Sequence, residues 1–233
     1  MGVLSVGIYG NYAKFVIKCL RLYPKNRYQA PLREAFTEPA VYICRHSNAK
    51  GPIASIINMP MEIHPWSLYL FHETESCRKH YAEYTFHVRF GWSKFKSELV
   101  ARLGAGLFTA LIHSVGSIPV YRNSAKVYNT FKQSVAALKN GESVLVFPDV
   151  DYSKVDGDTG DLYNGFVILE RMYFKETGKH LPFVTLHISD EKRSLFLGEP
   201  VMFEEGIPFK QQQQTIVRKL HDVMNALIEE HGN

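Results

Sequence analysis

Three short stretches of this chain carry residue types able to move a proton or grip an anion. In the first, Arg45-His46-Ser47-Asn48-Ala49-Lys50-Gly51-Pro52 follows the apolar run Val41-Tyr42-Ile43-Cys44. An imidazole with an ordinary pKa near ~6.5, one step beyond a buried strand, is placed to act as a general base. The chain holds ten histidines, so position alone does not single this one out. Cys44, inside the apolar run, reads as a small buried hydrophobe rather than a nucleophile. In the second stretch, Gly116-Ser117-Ile118-Pro119-Val120-Tyr121-Arg122 precedes Lys126. The Arg122 guanidinium offers a bidentate fork to phosphate oxygens, and the start of the following helix adds partial positive charge. The third stretch, Phe147-Pro148-Asp149-Val150-Asp151, opens a loop that also contains Asp156, Asp158 and Asp161. Its spacing fails a calcium loop, because Lys154 stands where glycine is needed and no glutamate follows at the twelfth position. The loop reads as solvated and acidic, without a metal.

Such groups act together only if strands and helices deliver them to one place. In open α/β sheets that place is where strands end and loops begin. Strands are expected at Val41–Cys44, 67–71, 118–121, 143–147, 183–188, Ser194–Leu197 and 201–203. Helices are expected over 9–22 (stopped by Pro24), 51–59, from the N-cap Ser93 towards His113, 124–138 (ended by Asn140-Gly141), 163–175 and 208–230. This alternation predicts an α/β fold with a mixed, largely parallel central sheet flanked by helices. The segment 103–121 lacks Asp, Glu, Lys and Arg, but its glycines, His113 and Pro119 read as a helix followed by a strand, not a membrane span.

With 233 residues, 45% hydrophobic and 21% charged, the chain can bury a full core, and one domain over 1–233 is expected. Residues 1–38 form an N-terminal amphipathic helical segment, with Lys14, Lys18 and Arg21 set against Phe15, Val16, Cys19, Leu20 and Leu22. The net charge of +4 suits an anionic partner but is too weak to indicate nucleic acid. Three cysteines far apart make no disulfide framework, and no secretory signal is visible, so a reducing cytoplasm is the expected setting.

In this order the three stretches resemble the glycerolipid (lysophospholipid, 1-acylglycerol-3-phosphate) acyltransferase family over roughly positions 40 to 205. Gly116 to Arg122 matches the family's block Gly-x-Ile-Pro-Val-x-Arg, whose arginine binds the acceptor's phosphate. Leu138, Gly141, Glu142 and Val146-Phe147-Pro148 match the approach to a block that usually reads Phe-Pro-Glu-Gly, where this chain has Asp149 and Val150. Leu181-Pro182-Phe183-Val184 is similar to a further block, with Thr185 in place of its second proline. The first block, His-x4-Asp, keeps its histidine as His46 but has Gly51 in place of the aspartate that orients the ring.

The resemblance implies acyl transfer from a thioester of coenzyme A or acyl carrier protein to a hydroxyl of a lysophospholipid or glycerol-phosphate-type acceptor. The thioester is a cosubstrate, and no further cofactor is implied. His46 would be the base, while Arg122 with Lys126 would anchor the phosphate. Ser47, Asn48 and Gly51 would line the substrate, with backbone N–H groups near Gly51 or Asp149 facing the oxyanion. Glu73, Glu75, Asp149 and Asp151 are candidates to replace the missing orienting carboxylate, and the Asn48 amide is a weaker one. A protein of this kind works peripherally, on the cytoplasmic face of a membrane and without nucleic acid. Aromatic residues between Trp66 and Trp92, interleaved with cations, suit such a surface as well as they suit a core. The rival from another class is a non-catalytic relative that binds lipid or acyl carrier.

Overall fold

The computed structural model describes residues 7–47, 50–121, 124–148 and 164–232. Asn48, Arg122, Asp149 and Asp151 therefore lie outside the described residues. The sheet is built on β1 (Val41–Cys44), every residue of which is buried. It runs parallel to β4 (Val144–Val146) on one side and β5 (Phe183–Ser189) on the other, with Val41 level with both Val144 and Phe183. β4 is also parallel to β2 (His64–Leu68), which pairs in parallel with β3 (Ile118–Val120). β6 (Ser194–Leu197) adds an antiparallel edge to β5, so the order is β3-β2-β4-β1-β5-β6. The fold is thus α/β with a mixed, largely parallel sheet between helices, as the alternation predicts.

The unbroken apolar runs of β1 and β4 follow from cover on both faces, which leaves no strand position for a polar side chain. Val41, Ile43, Val144, Val146 and Phe183 project into one core. They meet Val135 and Leu138 of α5 (Val127–Lys139), Leu169 and Tyr173 of α6 (Ile168–Thr177), and Ile216 and Leu220 of α7 (Phe209–His231). Tyr42, Cys44, Leu145, Val184 and Leu186 project the other way. They meet Phe36 together with Met59 and Met61, which follow α2 (Lys50–Asn58). α1 (Asn11–Leu22) buries Ala13 and Ile17 against Tyr9, Val115 and Ile56. Its start is tied to the end of α4 (Lys94–Ser114), because the Ala13 N–H donates to Ser114 Oγ at 2.9 Å.

Four expectations shift. β2 begins at His64 and ends at Leu68 rather than spanning 67–71, because β3 offers no partner beyond Val120; Tyr69–His72 turns off as a 3-10 helix. Around 201–203 the strand shrinks to one bridge, in which Phe183 and Val201 exchange both backbone hydrogen bonds at 2.9 and 2.8 Å. The helix expected over 163–175 opens as a 3-10 turn, Asn164–Val167, before α6. The segment with no expected element folds as α3 (Thr74–Lys79) followed by a π-helix at His80–Arg89. A π-helix bonds i to i+5, so its apolar residues do not recur at the spacing that marks an α-helix. Among the described residues no helix is long and apolar enough to cross a membrane.

Candidate active site

The carboxyl ends of β3, β2, β4, β1 and β5 all lie on one edge, because these five strands are parallel. The chain leaves β1 through α2 towards one face, and after β4 it reaches α6 on the other. Adjacent strands whose connections diverge in this way leave a crevice at their ends, the usual ligand position in open α/β sheets. His46 lies two residues beyond β1, and Phe147-Pro148 directly follows β4. The two elements touch there: the His46 ring stands edge-on to Phe147, with centroids 5.6 Å apart.

The loop after His46 closes tightly. Ser47 has a positive φ of 40°, which a non-glycine residue adopts only at a cost, and such conformations cluster at functional sites. The Gly51 N–H donates to the His46 carbonyl at 3.1 Å, and the Lys50 N–H to the Ser47 carbonyl at 3.3 Å. A Cβ on Gly51 would fall on the Arg45 carbonyl oxygen and sit 2.9 Å from that of His46. Position 51 therefore holds glycine because the strand-to-helix turn brings its backbone against another backbone. The Gly51 N–H itself already serves the turn. Lys50 swings away from the ring to pair with Asp190, beyond the carboxyl end of β5. Tyr28 also donates to Asp190, at 2.5 Å, and burial together with nearby Arg193 lowers the Lys50 pKa.

Lys126 sits further along the same edge. Its Nζ lies 5.9 Å from the centre of the Tyr121 ring, which stacks on Tyr69 at 5.3 Å, and these tyrosines follow β3 and β2. Three strand steps separate β1 from β3, or ~14 Å at the usual inter-strand spacing. The edge thus carries an imidazole at one end and an ammonium towards the other. Two of the candidate orienting carboxylates are engaged elsewhere: Glu75 pairs with Arg78 and Lys79, and Glu73 accepts from Ser76 at 3.2 Å.

The sequence reading missed two imidazole–carboxylate pairs. His64 bonds Glu142 at 3.0 Å and the Gly116 carbonyl at 2.6 Å; His180 bonds Glu170 at 2.6 Å, while Glu170 also accepts from the Leu181 N–H at 2.7 Å. His64 opens β2 and His180 precedes β5, so both pairs sit at the amino edge, opposite the crevice. The first ties the entries of β2 and β4 together, and the second ties α6 to the entry of β5. Also missed was the contact of His72 Nε2 with Ser67 Oγ at 2.9 Å, beside Ser117 Oγ at 2.8 Å from Ser67. Burial, reinforced by His113, pushes the His72 pKa down to about 4, so that ring stays neutral at neutral pH. Half of these contacts join residues 50 to 78 positions apart, which no local pattern reveals. Among the described residues no three His, Cys, Asp or Glu side chains gather to hold a metal ion. Compared with known proteins, the chain matches no family model and no curated sequence.

Proposed function

We propose that this protein transfers an acyl group from a thioester of coenzyme A or acyl carrier protein to a hydroxyl of a lysophospholipid or glycerol-phosphate-type acceptor. The observation that carries the reading is the His46 imidazole at the carboxyl edge, in the crevice between β1 and β4, beside Phe147. His46 takes the proton of the acceptor hydroxyl as its oxygen attacks the thioester carbonyl. The tetrahedral intermediate then collapses, the C–S bond breaks, and the imidazolium returns the proton to the leaving thiolate. Arg122, next but one after β3 in sequence, and Lys126 hold the acceptor phosphate, which converts an encounter into a positioned attack. The protein works in the cytoplasm, peripherally on the inner face of the membrane, where such acceptors reside.

Purified protein supplied with an acyl thioester and lysophosphatidic acid is expected to release free thiol, read with a thiol-reactive chromophore. No release with any thioester, combined with retained lysolipid binding, establishes the non-catalytic alternative. One observation favours that alternative: position 51 has no room for a side chain, so the resembled family's carboxylate cannot stand there. Arg122→Ala is expected to raise the acceptor's KM roughly tenfold or more, the worth of a charge-assisted contact, with donor KM unchanged. Steady-state kinetics in each substrate check this, and an effect confined to the donor contradicts the phosphate role.

A further inference from the structure

α4 is amphipathic in the reverse sense. Its inward stripe is small and polar: Ser97, Ala101, Ala105 and Thr109 are each at most 6% exposed. Its bulky apolar stripe points outward, with Phe95 81%, Leu99 48%, Leu103 72% and Leu107 63% exposed. These four recur every four residues over roughly 18 Å of helix, opposite the buried stripe. A helix covering a water-soluble core carries the opposite arrangement. Val88, in the π-helix, and Phe90, just after it, are also more than half exposed. By contrast, Phe108 of α4 joins Phe71, Tyr81, Phe86 and Trp92 in a series of ring contacts. The outward apolar surface thus combines Val88, Leu99, Leu103 and Leu107 with the exposed rings of Phe90 and Phe95.

Charge identifies the occupant. From α3 through α4, positions 74 to 114, six Lys or Arg residues stand against three Glu. Of the three acids, Glu75 and Glu98 are already engaged by Arg78. Lys94, Lys96 and Arg102 are exposed on α4, and Lys96 lies over the Trp92 ring at 4.1 Å. Two copies of so positive a face repel each other, whereas an anionic lipid surface attracts cations and accepts the apolar stripe between them. We infer that the outward face of α4 docks the protein onto an anionic phospholipid bilayer, with Phe95, Leu99, Leu103 and Leu107 entering the headgroup–acyl boundary. This rests on the lipid-acceptor reading above and names the surface that reading requires.

The test is co-sedimentation of the full chain with phosphatidylglycerol vesicles and with phosphatidylcholine vesicles, for the natural protein and for Leu103→Glu/Leu107→Glu. The natural protein is expected to bind the anionic vesicles, and the double variant to bind them at least about tenfold more weakly. The variant's melting temperature should be unchanged, because both side chains face solvent. Equal vesicle binding by the variant, or no binding by the natural protein, overturns the inference. So does a dimer in solution that the double variant converts to a monomer, since a second copy would then be the occupant. A water-soluble short-chain acceptor separates the two claims. Vesicle binding without thiol release leaves the docking surface standing and removes the transferase, and thiol release from the soluble acceptor without vesicle binding does the reverse.

Discussion

His46→Ala is expected to remove thiol release almost entirely while leaving the fold and vesicle binding intact. A positioned general base contributes ~10²–10⁴-fold to proton transfer, and His46 is the histidine that follows β1 and meets Phe147 beyond β4. The His46 ring meets the core edge-on at Phe147, beyond the hydrogen-bonded part of the sheet, so its loss does not unpair a strand. Single-turnover thiol release measures the first effect and a thermal melt the second. Turnover at the natural rate in a folded His46→Ala protein removes the imidazole from the mechanism. A collapse in stability makes its role structural.

Gly51→Asp, the change that would write the resembled family's His-x4-Asp block into this chain, is expected to damage the protein rather than activate it. The added Cβ falls on the Arg45 carbonyl oxygen, a backbone atom that cannot rotate aside, and the His46 carbonyl stands 2.9 Å away. Relieving the clash means opening the turn that ends β1 and starts α2, at on the order of 2–4 kcal/mol. Gly51→Ala should cost a similar amount, because the first carbon already collides. Gly104 on α4, where an added Cβ would meet nothing within 4 Å, is the control: Gly104→Ala should stabilise by about 0.5–1 kcal/mol. Denaturant melts rank the three. A Gly51→Asp protein as stable as its parent and faster in thiol release would show that the turn can open and that the carboxylate was simply missing.

How far the sequence reached depends on the kind of feature. β1 and β6 were readable to the residue, since each is a short apolar run with nothing to compete for its period. α4 was readable at its start because Ser93 is a cap, and its Oγ accepts from the Lys96 N–H at 3.4 Å. The π-helix was not, because i to i+5 bonding scatters apolar residues off the α-helical spacing, and the six residues of α3 are too few to show a period. In the candidate site, the histidine, the cationic block and their order along the chain were visible, and strand alternation was enough to place both at strand ends. Why position 51 is glycine was not visible, because its cause is a carbonyl oxygen six residues earlier, brought close by the turn.

α4 shows where the division falls. Its sequence contains two stripes four residues apart, one of Ser97, Ala101, Ala105 and Thr109, the other of Phe95, Leu99, Leu103 and Leu107. Periodicity establishes that they lie on opposite sides of a helix, and hydrophobicity alone would turn the larger inward. The tertiary structure turned the smaller inward, because α3, the π-helix and α1 approach α4 closely and only small side chains fit between them. The sequence by itself determined the α/β alternation, the helix spacing and the presence of an imidazole and a cationic block at strand ends. Which face of a helix meets water, and which backbone meets which glycine, was decided by long-range packing, a property of distances that a linear chain does not contain.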